Sequence, residues 1–306
     1  MSAQEYRIEC CAATDRVEAL RLLHGGLSTD QQATLPMALD AVRPQGEDAL
    51  AGLLVAKHAD ELQGVVWVQL APGRTAVIWP PAVGAAASAD LMRAAAEFLD
   101  ERQVVMAQIF LSPDAPQDSE AFAAGGFHRL VELAYLTLER ESFPATSPGG
   151  ELRFVPAASD DPQRLGRLLL ETYQGTLDCP QLNGLREPSD VLAGYAAQGE
   201  FSADRWFFVR HQGQDVGVLI LTTHAAGETW ELVYMGVVPA ARGRGWGGEI
   251  VRFALAQAAR AGAERIVLAV DEANAPGLAM YRAAGFILCD RRSVFARLKG
   301  SASLPT

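Results

Sequence analysis

Apolar positions along the chain alternate and then recur every three to four residues, in an order of elements that the chain runs through twice. In residues 151–299 the order opens with a strand in "ELRFVPA". A helix follows in "DDPQRLGRLLLETY", with Leu165, Leu168 and Leu169 on one face, and then a shorter helix in "PSDVLAGYAAQG". The stretch "RWFFVRHQGQDVGVLILTTH" predicts a hairpin turning at Gln212-Gly213-Gln214, and "TWELVYMGVV" predicts the next strand. Beyond a glycine-rich turn, Ile250, Val251, Ala254, Leu255 and Ala258 form one helical stripe that Gly262 closes as a left-handed cap. "RIVLAV" then reads as a buried strand, "APGLAMYRAA" as a helix, and "FILCDRRSVFARL" as a final strand pair.

The first half repeats the order with a strand in "YRIECCAA", a helix in "DRVEALRLL" and a hairpin in "ELQGVVWVQLAPGRTAVIW". A helix in "ADLMRAAAEFLDER", a strand in "VVMAQIFL", a short helix in "AFAAGG" and a strand in "FHRLVELAYLTL" complete it. Placing Phe127 on Phe286 sets "FAAGGF" against "YRAAGF" without a gap, which indicates an internal duplication. Between the halves, "RESFPATSPGGEL" lacks periodicity and is rich in Pro, Ser and Gly. The expected division is a first domain over 1–142, a linker over 143–150 and a second domain over 151–306.

Composition adds few constraints. A chain of 306 residues, 49% apolar and 21% charged, can build two cores. No run approaches the ~18 apolar residues of a membrane span, and "MSAQEYRIECC" lacks the pattern of a secretory signal, so a cytoplasmic protein without membrane partners is expected. Cys10, Cys11, Cys179 and Cys289 have no metal-ligand spacing, so neither a metal nor a disulfide framework is expected. The net charge of −11 is uneven: residues 1–145 carry 10 basic and 20 acidic side chains, and the remainder 16 and 17. Such a surface repels a phosphate backbone, which argues against nucleic acid and leaves a small molecule as the expected partner.

The chemistry concentrates in "PAARGRGWGG" after the strand. Gly243-x-Gly245-x-x-Gly248 satisfies the dinucleotide fingerprint, with Asp271 as a ribose-binding acid, which keeps a nicotinamide-dependent oxidoreductase as a distant alternative. Four residues, Pro239 to Arg242, separate that strand from the first glycine, whereas the fingerprint needs an immediate turn. Read from Arg242, the same residues fit Arg/Gln-x-x-Gly-x-Gly/Ala opening a helix. Glycines there let a ligand approach the backbone, and free N–H groups at a helix start make an anion site.

Together with "NAPGLAMYRAAGF", this stretch resembles the GNAT acetyltransferase superfamily, strongly over 151–299 and by element order alone in the first half. The resemblance implies an α/β (α+β) fold of two tandem GNAT-like domains, each a mixed, mainly antiparallel sheet of about six or seven strands flanked by helices. It implies acetyl-CoA as co-substrate, with the pyrophosphate on the amides of Arg242, Gly243, Arg244, Gly245, Trp246 and Gly247. The pantetheine arm would follow Met235, Gly236 and Val237, with Gly236 easing a bulge, and Asn274 would either cap its helix or bind the CoA arm.

The resemblance also implies Glu231 as general base and Tyr281 as the acid that protonates the CoA thiolate, with His224 as a fallback base. An alkylamine of pKa ~10.4 is neutral only about one part in 10³ at pH 7, so direct attack by a primary amine needs its proton removed. Tyr173, Asp178 and Arg291 stand where an acceptor would lie. The first half has "PPAVGAAAS" in place of the glycine loop, Phe122 for Tyr281 and Ala115 for Asn274, so it reads as a degenerate copy. The expectation is an acetyltransferase acting on a small-molecule or peptide amine, as a monomeric pseudo-dimer or a homodimer. The alternative is an acyl-CoA-binding or regulatory protein that turns nothing over.

Overall fold

A computed structural model of the chain describes residues 5–144, 149–157, 161–224 and 227–299. Residues 145–148 of the expected linker lie outside the described residues. The chain divides into two compact units, one made of residues up to Leu130 and from Arg292 on, the other of Val131–Arg291.

The first unit runs β1 (Arg7–Cys10), α1 (Arg16–Gly26), α2 (Thr29–Val42), β2 (Leu53–His58), β3 (Glu61–Ala71), β4 (Thr75–Trp79), α3 (Ser88–Glu101), β5 (Met106–Leu111) and α4 (Ser119–Ala124). The second contains most of β6 (His128–Glu139), then β7 (Arg153–Pro156), α5 (Pro162–Tyr173), α6 (Pro188–Ala196), β8 (Trp206–His211), β9 (Gln214–His224), β10 (Thr229–Val237), α7 (Trp246–Arg260), β11 (Arg265–Asp271) and α8 (Ala275–Ala283). The closing strand β12 (Ile287–Leu298) enters the first unit, where Ser293–Leu298 pair with Met106–Leu111. In return β6 pairs with β11 in the second unit, so the strand that ends each half of the sequence completes the sheet of the other unit.

Strand order is β1-β2-β3-β4-β5-β12 in the first unit and β7-β8-β9-β10-β11-β6 in the second. Every pairing that sets these orders is antiparallel except β4–β5 and β10–β11. Local chemistry accounts for the elements that position the site. Asp161 caps α5 by accepting from the Arg164 amide at 2.8 Å, Pro162 fits the first turn, and Leu165, Leu168 and Leu169 bury the inner face. Gln212 and Gly213, both at positive φ, make the tight turn of the β8–β9 hairpin. Gly262 ends α7 at φ 76°. Leu169 has no exposed surface, and Leu169→Ala should cost about 2–5 kcal/mol.

Two local expectations change. "FILCDRRSVFARL" is one continuous strand and not a pair. Its polar centre reads as a turn, yet Arg291 is paired with Glu272 and Arg292 with Asp30, so the charges are satisfied along an extended chain. Helix α2 and strand β2 lie in a stretch that sequence periodicity left unassigned, where Pro36 inside the helix breaks the apolar pattern.

Candidate active site

β10 and β11 pair only over Thr229–Glu231 with Arg265–Val267. Beyond Glu231, β10 stays on β9 as far as Val237 opposite Gly217, with an irregularity between Leu232 and Tyr234. The extra residue, Val233, re-aims the strand and β10 parts from β11. A cleft of about 260 Å³ opens there, lined on β10 by Tyr234 through Val237. The bulge therefore falls at Val233 and not at Gly236. Gly236 serves close approach instead: a Cβ there would lie 2.4 Å from the Tyr234 hydroxyl and 2.7 Å from Thr172.

The loop beyond β10 has the form expected of it. Gly243 and Gly245 sit at φ 78° and 75°, where L-residues are strained, with no atom within 4 Å of a Cβ built on either. No side chain caps α7, so its first amides face that open space with the positive end of the helix dipole behind them. Gly247 lets Met280 pack close, its sulfur 2.7 Å from where a Cβ would be. The Arg244 guanidinium lies 5.0 Å over the ring of Trp246, which is itself buried against His211 at 4.6 Å. The Trp246 ring thus anchors the loop, and no side chain caps the start of α7.

Arg242 spends its donors on the protein. Nε reaches the Val237 carbonyl at 3.1 Å, and the two Nη atoms reach those of Gly175 and Thr172 at 2.9 Å each. These last two lie at and just beyond the C-terminal end of α5, where carbonyls lack helical partners. The guanidinium ties the glycine loop to the segment after α5, which forms the opposite wall of the cleft with Thr176, Leu177 and Asp178. The far end of that segment is tied to β11: Asp178 Oδ1 accepts from the Asp271 amide at 2.8 Å, and Asp271 Oδ2 from the Cys179 amide at 3.2 Å. Burial, with Asp271 nearby, raises the Asp178 pKa although the Asp271 amide opposes it. Burial and the same carboxylates push the Cys179 thiol up to about 12, so it is no nucleophile at neutral pH.

From α8 the cleft receives Asn274, Gly277, Met280 and Tyr281. Asn274 is the helix cap, its Oδ1 accepting from the Gly277 amide at 3.0 Å. Tyr281 is 7% exposed, and its hydroxyl has no hydrogen-bond partner among the described residues. Burial, reinforced by Asp178, holds this phenol well above the usual tyrosine range, so it stays protonated and able to donate.

Glu231 is the last β10 residue paired to β11, at the apex of the wedge and outside the residues lining the cleft. Its Oε2 lies 2.7 Å from Nε2 of His224. That hydrogen bond, partly offset by burial, raises the His224 pKa above its ordinary value. The cleft thus gathers Met235, Gly236, Val237, Arg242, Asn274, Asp178 and Tyr281, with Gly247 packed on its Met280 wall. Neither Tyr173 nor Arg291 lines it. The Tyr173 hydroxyl meets that of Tyr195 at 2.7 Å and is pushed up to about 12 by burial, and Arg291 reaches Glu272 at 2.5 Å. Thr172 and Tyr234, joined at 2.7 Å by their hydroxyls, were not legible as site residues, because a threonine in an apolar helix face and a tyrosine in an apolar strand both read as core.

Residues 169–286 match the profile of the Acetyltransferase (GNAT) family, spanning the wall, wedge, loop and α8 just described. The chain carries a GNAT domain. Among curated relatives, the mycothiol acetyltransferase of Corynebacterium efficiens is 25% identical over 198 residues, which cover 60% of this chain and 63% of that protein. The match therefore spans less than two thirds of the relative's length. A GCN5-related N-acetyltransferase from Sphaerobacter thermophilus superposes with a TM-score of 0.63 at 15% identity, covering 96% of this chain and 95% of its own. A tandem GNAT protein from the clavulanic acid biosynthesis pathway superposes at 0.50 and 18% identity, covering 98% and 100%. At such identities the structural likenesses establish the fold alone: mixed sheets flanked by helices, in the tandem GNAT plan. No helix among the described residues is long and apolar enough to cross a membrane.

Proposed function

We propose that the chain transfers an acetyl group from acetyl-CoA to a primary amine of a small molecule by direct attack, in one site within residues 151–291. The observation that carries this reading is the wedge between β10 and β11, which runs from the glycine loop at its mouth to Glu231 at its apex. The residues present suit a coenzyme A thioester. Uncapped amides from Gly243 to Gly247 suit the pyrophosphate, and the unpaired edge of β10 from Met235 to Val237 suits an amide-bearing arm. The bound thioester supplies an activated acyl carbonyl.

The protein's own part is binding, positioning and proton handling. Arg242 holds the loop against the wall after α5. Glu231, oriented by His224, accepts the proton that the attacking amine must lose, directly or through water. Tyr281 keeps its proton and gives it to the departing sulfur. Calorimetric titration with acetyl-CoA tests the reading. Saturable uptake at one site per chain, with thiol release in a panel of amines, is expected. Absence of saturable uptake at millimolar concentration overturns it, and uptake without turnover in any amine favours the non-catalytic binding protein.

A further inference from the structure

The turn of α7 that carries the open amides is poorly suited to be helical. Gly245 stands at its N-cap, and Gly247 and Gly248 fill two of its first three positions. Glycine is the weakest helix former after proline, because it gives up the most backbone freedom on folding. No side-chain cap offsets this. Amides that converge on an anion must still be held in place, and two contacts hold them. One is the Trp246 ring, packed on His211 at 4.6 Å. The other starts from Glu249.

Glu249, the fourth residue of α7, is only 8% exposed. Its Oε1 accepts at 2.9 Å from the amide of Leu152, a residue 97 positions earlier that is itself buried in the core of this unit. A buried carboxylate needs such a donor, and the positive end of the α7 dipole lies beside it. Gly150 rests against the same group: a Cβ there would sit 1.9 Å from Oε1. Gly150 is not at positive φ, so the carboxylate, and not the backbone, is what excludes a side chain at this position. Between the two, Glu151 Oε2 reaches His211 Nε2 at 3.4 Å, but that glutamate side chain is 72% exposed and such a pair contributes little. Residues 150–152 thus form a strap across the first turn of α7, fastened at Glu249. Strand β7 is set by its own pairing with β8 from Arg153 onward, so what the fastening holds is the helix turn.

We propose that Glu249 is a positioning residue: bonded to the strap, it keeps the glycine-rich first turn of α7 wound, and so sets the affinity of the amides from Gly243 to Gly247 for the diphosphate of acetyl-CoA without touching it. This rests on the acetyl-transfer reading above, in which those amides receive the pyrophosphate.

The test titrates coenzyme A into the full chain and four variants by calorimetry, with hydrogen–deuterium exchange over residues 246–250 measured on each. In a wound turn the amides of Glu249 and Ile250 are the first to find partners inside the helix, so their exchange reports the winding without any ligand. Glu249→Ala removes the acceptor; it should weaken coenzyme A roughly 10-fold, as for a lost hydrogen bond to a charged group, and speed that exchange. Gly150→Ala leaves α7 unaltered and displaces only the carboxylate, so it should act in the same direction, by roughly 3- to 10-fold, and it keeps the test decisive if Glu249→Ala does not fold. Glu249→Gln keeps an oxygen for the Leu152 amide and should stay within about 3-fold of the unaltered chain. Adding Gly248→Ala to Glu249→Ala should recover roughly 3- to 5-fold, since alanine restores the helix propensity that the strap replaces, and its methyl would meet nothing nearer than Arg252 at 3.4 Å. Coenzyme A affinity and exchange unchanged in Glu249→Ala and Gly150→Ala, or no recovery with Gly248→Ala, overturns the inference while acetyl transfer stands. Failure of the unaltered chain to take up coenzyme A overturns both.

Discussion

In each unit a parallel strand pair matches over three residues and then parts: Thr75–Val77 with Met106–Gln108, and Thr229–Glu231 with Arg265–Val267. In the first unit β4 stops at Trp79, and Pro80-Pro81 offer no amides. Trp79 stacks on Trp67 at 5.8 Å, and Phe122 packs edge-on against Phe295 at 5.2 Å inside the core. In the second unit β10 bends at Val233 and continues to Val237, the glycine loop follows, and a phenol stands where Phe122 stands. The register sets Val77 where Glu231 is. The wedge is therefore a property of the topology, and in the second unit its walls are left unfilled as a cleft of about 260 Å³. Helix α4 is also shorter than α8, and its cap is Asp118 and not Ala115, so the structural role of Asn274 survives in the first unit three residues later.

The comparison breaks most sharply if the second unit is rewritten as the first. Glu231→Val and Tyr281→Phe should each lower kcat by roughly 10²–10⁴, as expected for lost acid or base catalysis, with acetyl-CoA affinity little altered. Undiminished turnover in either variant retires that residue. Next in size is the loop: Gly245→Val forces a branched residue to φ 75°, costing about 1–2 kcal/mol, and should weaken acetyl-CoA about 5- to 30-fold. Gly84→Val in the first unit, at φ 72° and equally uncrowded, should leave that affinity unchanged, and titration should still count one site per chain.

The carboxylates give a smaller, pH-dependent contrast. Asp178 has a raised pKa in the fold, so its ionised form costs stability above that value, and Asp178→Asn should raise the melting temperature at pH 7 by about 2 °C. Asp30 is lowered by Ser112 and then Arg292, so its contribution is full above an unfolded value of ~3.9 and is lost as pH falls through the lowered one. Asp30→Asn should therefore lower the melting temperature at pH 7 and have little effect at the most acid pH. Smallest is the effect on His224, whose stabilising contribution is full below ~6.5 and fades as pH rises through its raised value. NMR titration should find its midpoint above ~6.5 and find it lowered by Glu231→Gln; an unmoved midpoint would show that the pair does not form.

The strand–loop–helix around Gly243 and Gly245 was legible because positive φ and uncapped amides leave glycine as a mark in the sequence. The hairpin at Gln212-Gly213, the cap at Gly262 and the apolar stripe of α7 were legible for similarly local reasons. Contacts between distant segments were not. Nothing in "TLDCP" announces that Asp178 meets the Asp271 amide, and the three carbonyls that absorb Arg242 belong to two elements separated from one another in sequence. The exchange of β6 and β12 is invisible for the same reason, since a strand's apolar alternation records that it is paired and not with whom.

That exchange sets an order of events during synthesis. The residues up to Leu130 leave the ribosome without the strand that closes their sheet, and Val131 through Arg291 must be made before it arrives. Until then β5 presents a bare hydrogen-bonding edge, a template for any extended chain nearby. The first unit is thus the last to be sealed, and a nascent chain stalled within α8 would expose a sticky, half-finished sheet to the cell's chaperones.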